Sequence, residues 1–197
     1  FPKDVEKEAK AISEKIKLSE IKRRRDFRNV LTVTIDPRDA KDFDDALSFR
    51  VLPNGNYEVG VHIADVSYYV QPGSAIDREA QNRGTSVYLV DRTTPMLPEK
   101  LCNMVCSLRP DEEKLALSVV FELNDHADVI TQWIGKTVIK SNRRFAYEEV
   151  QAMIEGGDGD YKDELMVLNK LAFALRKKRM ANGSISFHSE EVKSILD

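Results

Sequence analysis

Cysteine is nearly absent: 197 residues carry only Cys102 and Cys106, four apart, with no second pair and no histidine beside them. That excludes a disulfide framework and a four-ligand zinc site, and leaves two small core residues suited to a reducing compartment. No apolar run is long enough to span a bilayer and no secretory pattern opens the chain, so a soluble cytoplasmic protein with no membrane partner is expected. Nor is there an excess of positive charge, since 30 Lys and Arg face 33 Asp and Glu for a net charge of -3. A self-sufficient nucleic-acid binder is usually basic, so any large phosphate-binding surface is expected outside this chain.

An ordinary apolar fraction of 42% over this length is compatible with one domain and a useful core. The unusual stretch is Ile35 to Ala46, where Asp36, Asp39, Asp42, Asp44 and Asp45 follow a strand-like run. Leu31, Val33 and Ile35 alternate on one face, so Asp36 emerges at the strand's end. Pro37 then leaves the ladder, having no N–H to donate. If Asp42 to Asp45 is extended, Asp42 and Asp44 point to one side and Asp45 to the other, with Phe43 anchoring the turn. Two carboxylates about 4 Å apart repel by about 4 kcal/mol at an effective dielectric near 20, against a total stability of about 5 to 15 kcal/mol. Either the cluster is a solvated acidic turn, or a cation sits in it.

Converging carboxylates with few other donors suit Mg²⁺ or Mn²⁺, which polarises a phosphate and activates water. A calcium loop of the EF-hand kind is excluded: counted from Asp42, the sixth position is Leu47 where Gly is needed, and the twelfth is Pro53 where Glu is needed. A phosphoaspartate enzyme would place its nucleophile at a strand end, and Asp42 follows Arg-Asp-Ala-Lys instead.

Around this stretch the patterns predict a helical lead-in over residues 1–30, with Lys22 to Arg25 as a solvated helix end. Two hairpins are predicted, Ala46–Leu52 with Tyr57–Ala64 about Asn54-Gly55, and Leu115–Leu123 with Val129–Ile139. His62 reads as structural, and Asp65 as a supporting or turn-forming carboxylate. Helices are predicted from Ser74 to Gly84, from Pro98 through both cysteines, over Tyr147–Ile154 and over Glu164–Met180, with a short strand carrying Tyr88. The fold class is therefore mixed α/β (α+β), a mainly antiparallel sheet with packed helices.

Thr34-Ile35-Asp36-Pro37 through Asp42-Phe43-Asp44-Asp45-Ala46, then Val61-His62-Ile63-Ala64-Asp65-Val66-Ser67, resembles the catalytic domain of the ribonuclease II / ribonuclease R family. Arg83-Gly84-Thr85-Ser86-Val87-Tyr88-Leu89, Pro95-Met96-Leu97-Pro98 and Cys106-Ser107-Leu108 continue the likeness in the same order, closer to the ribonuclease R branch. The resemblance implies processive 3′ to 5′ hydrolysis of RNA to nucleoside 5′-monophosphates with Mg²⁺, no small-molecule cofactor, and the single-stranded 3′ end of RNA as partner. It assigns Asp36 and Asp45 as metal ligands, Asp42 as support for the metal, Asp44 as needed in the chemical step, and Tyr88 and Phe187 as the aromatics that hold the terminal base. It also implies that residues 31–197 are the N-terminal portion of a longer, here truncated catalytic domain, inactive alone. The alternative is a non-catalytic RNA-binding or scaffold module that keeps the fold.

Overall fold

A computed structural model describes residues 1–186. Helices α1 (Lys3–Ala11) and α2 (Leu18–Ile21) precede strands β1 (Arg25–Asp26), β2 (Leu31–Asp36), β3 (Asp45–Val51) and β4 (Tyr57–Ala64). Helices α3 (Val66–Tyr69) and α4 (Ala75–Arg83) follow, then a ribbon of β5 (Val87–Tyr88) with β6 (Thr93–Thr94), and a π-helix over Lys100–Val105. The long hairpin β7 (Glu113–Leu123) and β8 (Val129–Lys140) leads to β9 (Arg143–Ala146) and to helices α5 (Tyr147–Ile154) and α6 (Lys162–Ala181).

Seven strands form one sheet in the order β1-β8-β7-β4-β3-β2-β9. Its outer pairs, β1 with β8 and β2 with β9, are parallel, and all the others are antiparallel. The fold is thus the mixed α/β arrangement that the patterning predicts. Gly55, at a φ of +83° that side chains disfavour, closes the β3–β4 hairpin at the expected Asn-Gly. Alternation along the strands sorts the core into two layers. Val33, Phe49 and Val59 lie under α5 and α6 with Phe145, Met153, Leu165 and Leu171. On the other face Ala46, Ala64 and Ala116 are small, and Val5 and Ala9 of α1, Ile76 of α4 and Leu101 of the π-helix fill the space above them. Among the described residues no helix is long and apolar enough to cross a membrane.

Several local expectations need correction. The Lys22–Arg25 run is a solvated helix end only at Lys22 and Arg23. The Arg24 guanidinium is buried, bonded to Asp65 Oδ2 at 2.7 Å and Glu20 Oε1 at 2.8 Å and to the carbonyls of Ala116 and Thr137, while Arg25 bonds Glu58 at 2.8 Å. The two carboxylates leave N–H groups of the buried guanidinium unpaired, and the sheet carbonyls supply their acceptors. The helix predicted from Pro98 through both cysteines is a π-helix that holds Cys102 and ends before Cys106, and the predicted apolar face of the last helix buries Leu165 and Leu171 but leaves Leu175 exposed.

His62 has the structural role expected of it. It is fully buried on β4, with Nδ1 2.6 Å from Ser118 Oγ and Nε2 2.8 Å from Ser48 Oγ. A Cβ on neighbouring Gly60 would overlap Ser48 Oγ and stand 2.6 Å from His62 Nε2. Gly60→Ala is therefore expected to cost about 1–3 kcal/mol, seen as a lower urea midpoint. An unchanged midpoint would show that the network has slack.

Burial pushes the His62 imidazole down from 6.5 to about 4. The fold favours the neutral ring, so this contribution is complete above pH 6.5 and is lost as the pH falls toward 4. The expected loss is on the order of 3 kcal/mol. Urea denaturation at pH 7 and pH 4 checks it: His62→Gln should lose clearly less stability than wild type across that interval, and equal losses would overturn the assignment.

Candidate active site

β2 and β3 are antiparallel, so the end of β2 and the start of β3 meet at one end of the sheet, and the acidic loop joins them there. Asp36 shares the face of Thr32 and Thr34 and is 7% exposed. Its Oδ2 has no hydrogen-bond partner. Burial first, and then the charges of Asp45 and Asp42, push its carboxyl above the usual range, against opposing pulls from the Thr34 hydroxyl and from Arg144. Asp44 keeps open surface, yet the protein around it and the charges of Asp42, Asp45 and Asp36 raise its carboxyl too. The carboxylates therefore feel one another strongly.

Asp42 accepts a 2.8 Å hydrogen bond at Oδ2 from the Tyr88 hydroxyl, and that bond is the main reason the phenol is pushed up to about 12. The Tyr88 ring is 66% exposed. Asp36, Asp42, Asp44 and Tyr88 line one cleft of about 620 Å³, and Arg92 and Asn103 belong to the same lining. Asp45, the first residue of β3, lies outside that lining, because alternation turns it away from Asp44. Phe187 lies outside the described residues. Asp65 faces inward instead, its oxygens taken by Arg24 at 2.7 Å and Ser67 at 2.6 Å. Burial raises its carboxyl, but Ser67 and Arg24 outweigh that and hold it below the usual range.

Arg144 is a member of the site that the sequence did not disclose. It sits on β9, paired with Thr34 of β2, and its Nη2 donates to the carbonyls of Pro37 at 2.5 Å and Arg38 at 2.7 Å. Its guanidinium lies 5.5 Å from the Phe43 ring centroid. One cation therefore ties together both halves of the acidic loop. β9 is four residues long and half arginine, so no alternation marked it as a strand. Arg92 and Asn103 come from a ribbon turn and the π-helix, and nothing in their spacing singled them out.

Among the described residues no three His, Cys, Asp or Glu side chains are gathered closely enough to hold a metal ion between them. The chemistry of the donor set nevertheless fits a hard cation. It consists of carboxylate oxygens alone, one of them buried without a partner, and the groups raise one another's affinity for a positive charge.

Comparison with known proteins places this geometry. The chain is 45% identical over 203 residues to ribonuclease R of Thermotoga maritima, an alignment covering 100% of this chain and 29% of that protein. It superposes on Mycoplasma genitalium RNase R in complex with double-stranded RNA with a TM-score of 0.91 and 28% identity, covering 100% of this chain and 36% of the other. Yeast Ssd1, a pseudonuclease, shares the fold at a TM-score of 0.75 and 23% identity over 85% of this chain and 21% of its own. The chain spans less than a third of the length of the curated relatives it matches. The RNB domain family model matches residues 24–197, and the chain belongs to that family.

Proposed function

We propose that this chain is the metal-binding part of a cytoplasmic 3′ to 5′ exoribonuclease that hydrolyses RNA processively to nucleoside 5′-monophosphates with Mg²⁺. The observation that carries the reading is the cleft itself, lined by Asp36, which has one buried oxygen without a partner, together with Asp42, Asp44 and the exposed Tyr88. Asp36 and Asp45 would hold the metal, with Mn²⁺ as a substitute, and Asp42 would support them. When bound, the ion supplies polarisation of the scissile phosphate and activation of water.

The remaining work falls to side chains of this chain. Asp44, its carboxyl raised yet still open to the cleft, takes the proton of the attacking water. Tyr88 is anchored through its hydroxyl on Asp42, which leaves its ring free to stack on the 3′-terminal base, with Phe187 as the second aromatic. Arg92 adds a positive charge to the lining of the cleft, suited to a backbone phosphate.

A non-catalytic RNA-binding module is the second reading, favoured by the likeness to a pseudonuclease. The presence of Asp36, Asp42, Asp44 and Asp45 together argues for the first. The two separate on a single-stranded RNA labelled at its 5′ end and incubated with the natural protein that contains these residues, with Mg²⁺ or with EDTA. The expected result is a ladder shortening from the 3′ end only when Mg²⁺ is present, with no activity from residues 1–197 alone. Intact RNA in both arms would move the assignment to the binding module.

A further inference from the structure

The Cys106-Ser107-Leu108 segment follows the π-helix, and the reaction proposed above gives it no part. Ser107 is fully buried, and its hydroxyl makes two hydrogen bonds to one short piece of the acidic loop. It donates to the Lys41 carbonyl at 3.0 Å and accepts the Phe43 N–H at 3.0 Å. One residue on, the Leu108 N–H donates to the Phe43 carbonyl at 2.8 Å.

The residue between these anchor points is Asp42. A carbonyl and the N–H two residues later flank one α-carbon, and the angle between their peptide planes is set by the two soft dihedrals of that residue. A single oxygen that binds both groups fixes that angle. The Asp42 side chain is held separately by the Tyr88 hydroxyl at 2.8 Å. Backbone and carboxylate are thus each restrained by a different hydroxyl, one buried beneath the loop and one at its surface. The clamp is itself anchored, since the Cys106 N–H bonds the Leu101 carbonyl at 2.9 Å and Leu108 is fully buried.

We infer that Ser107 is a positioning residue of the acidic site, whose hydroxyl sets the backbone angle at Asp42 and so the direction in which that carboxylate faces the cleft. Ser107 touches neither substrate nor metal, and it acts only through Lys41, Phe43 and Asp42. The inference rests on the reading of the cleft as a divalent-cation site. A partner that orients a ligating group commonly changes metal affinity by about 10–100-fold when removed.

The test is a Mn²⁺ titration of the natural protein that contains these residues, followed by electron paramagnetic resonance of the free ion, with wild type, Asp36→Asn, Ser107→Ala and Ser107→Thr side by side. Asp36→Asn should abolish specific binding, Ser107→Ala should weaken it by about tenfold, and Ser107→Thr, which keeps the hydroxyl, should restore it. Wild-type affinity in Ser107→Ala, with Asp36→Asn inactive in binding, overturns the positioning role and leaves the metal site standing. Undiminished binding in Asp36→Asn removes the metal reading and the inference with it. Should Ser107→Ala fail to fold, amide exchange in the wild type decides: strong protection at Phe43, increased by Mn²⁺, supports the clamp. Exchange at Phe43 as fast as at the exposed Asp39 rules it out.

Discussion

Asn in place of Asp44 is expected to lower RNA hydrolysis in the natural protein by at least about 10³-fold, within the range that positioned acid–base groups supply, while leaving RNA affinity nearly unchanged. The two effects separate because the amide keeps the size and hydrogen-bonding shape of the carboxylate but cannot accept the proton of an attacking water. Asp44 is suited to that step by its surroundings. It opens to the cleft, yet the surrounding protein and its neighbours Asp42, Asp45 and Asp36 all favour its protonated form. Removing one negative charge from such a cluster also cannot weaken the attraction of a polyanion. Single-turnover decay of a labelled single-stranded RNA gives the rate, and filter binding in EDTA gives the affinity. More than a few per cent of residual rate would remove Asp44 from the chemical step, and an equal loss of rate and affinity would make it a binding residue.

What the sequence made legible follows from how strongly each element is written in short-range pattern. β2, β3, β4, β7 and β8 carry strand-like runs, and an Asn-Gly turn marks the first hairpin, so their existence and the pairing within the two hairpins could be read directly, while the order that joins the hairpins could not. β1 and β9 are two and four residues long and gain their partners only through long-range parallel pairing, with β8 and β2. No local signal records such a contact. The same limit governed the charges. Asp36, Asp42, Asp44 and Tyr88 stood out by spacing and resemblance, whereas Arg144 reaches the loop from more than a hundred residues away. Arg24 read as one more cation in a basic run, and only the fold shows that it is the buried partner of Asp65. Asp45 marks the opposite case: alternation separates it from Asp44, and Asp36, Asp42 and Asp44 line the cleft without it.

Asp36→Asn should make the metal-free chain more stable and at the same time abolish its stabilisation by divalent cations. Asp36 is the most buried of the four, Oδ2 finds no donor, and burial together with Asp45 and Asp42 makes its ionised form costlier than that of an exposed aspartate. The fold tolerates that cost because the site has another use. In wild type, an ion at a hundred times its dissociation constant would add about 2.7 kcal/mol, which for a chain of this size raises the melting temperature by about 5–10 °C. Neutralising Asp36 relieves the repulsion, for an expected gain of about 2–4 °C in EDTA, and removes the oxygen around which an ion would settle. Thermal unfolding of both forms, in EDTA and in saturating Mn²⁺, gives four melting temperatures. A variant that melts lower than wild type in EDTA and still rises with Mn²⁺ would mean that Asp36 is an ordinary structural carboxylate and that the cation, if bound, sits elsewhere. The opposite pattern, higher without metal and flat with it, is the expected signature of a residue kept for its ligand at the expense of the fold.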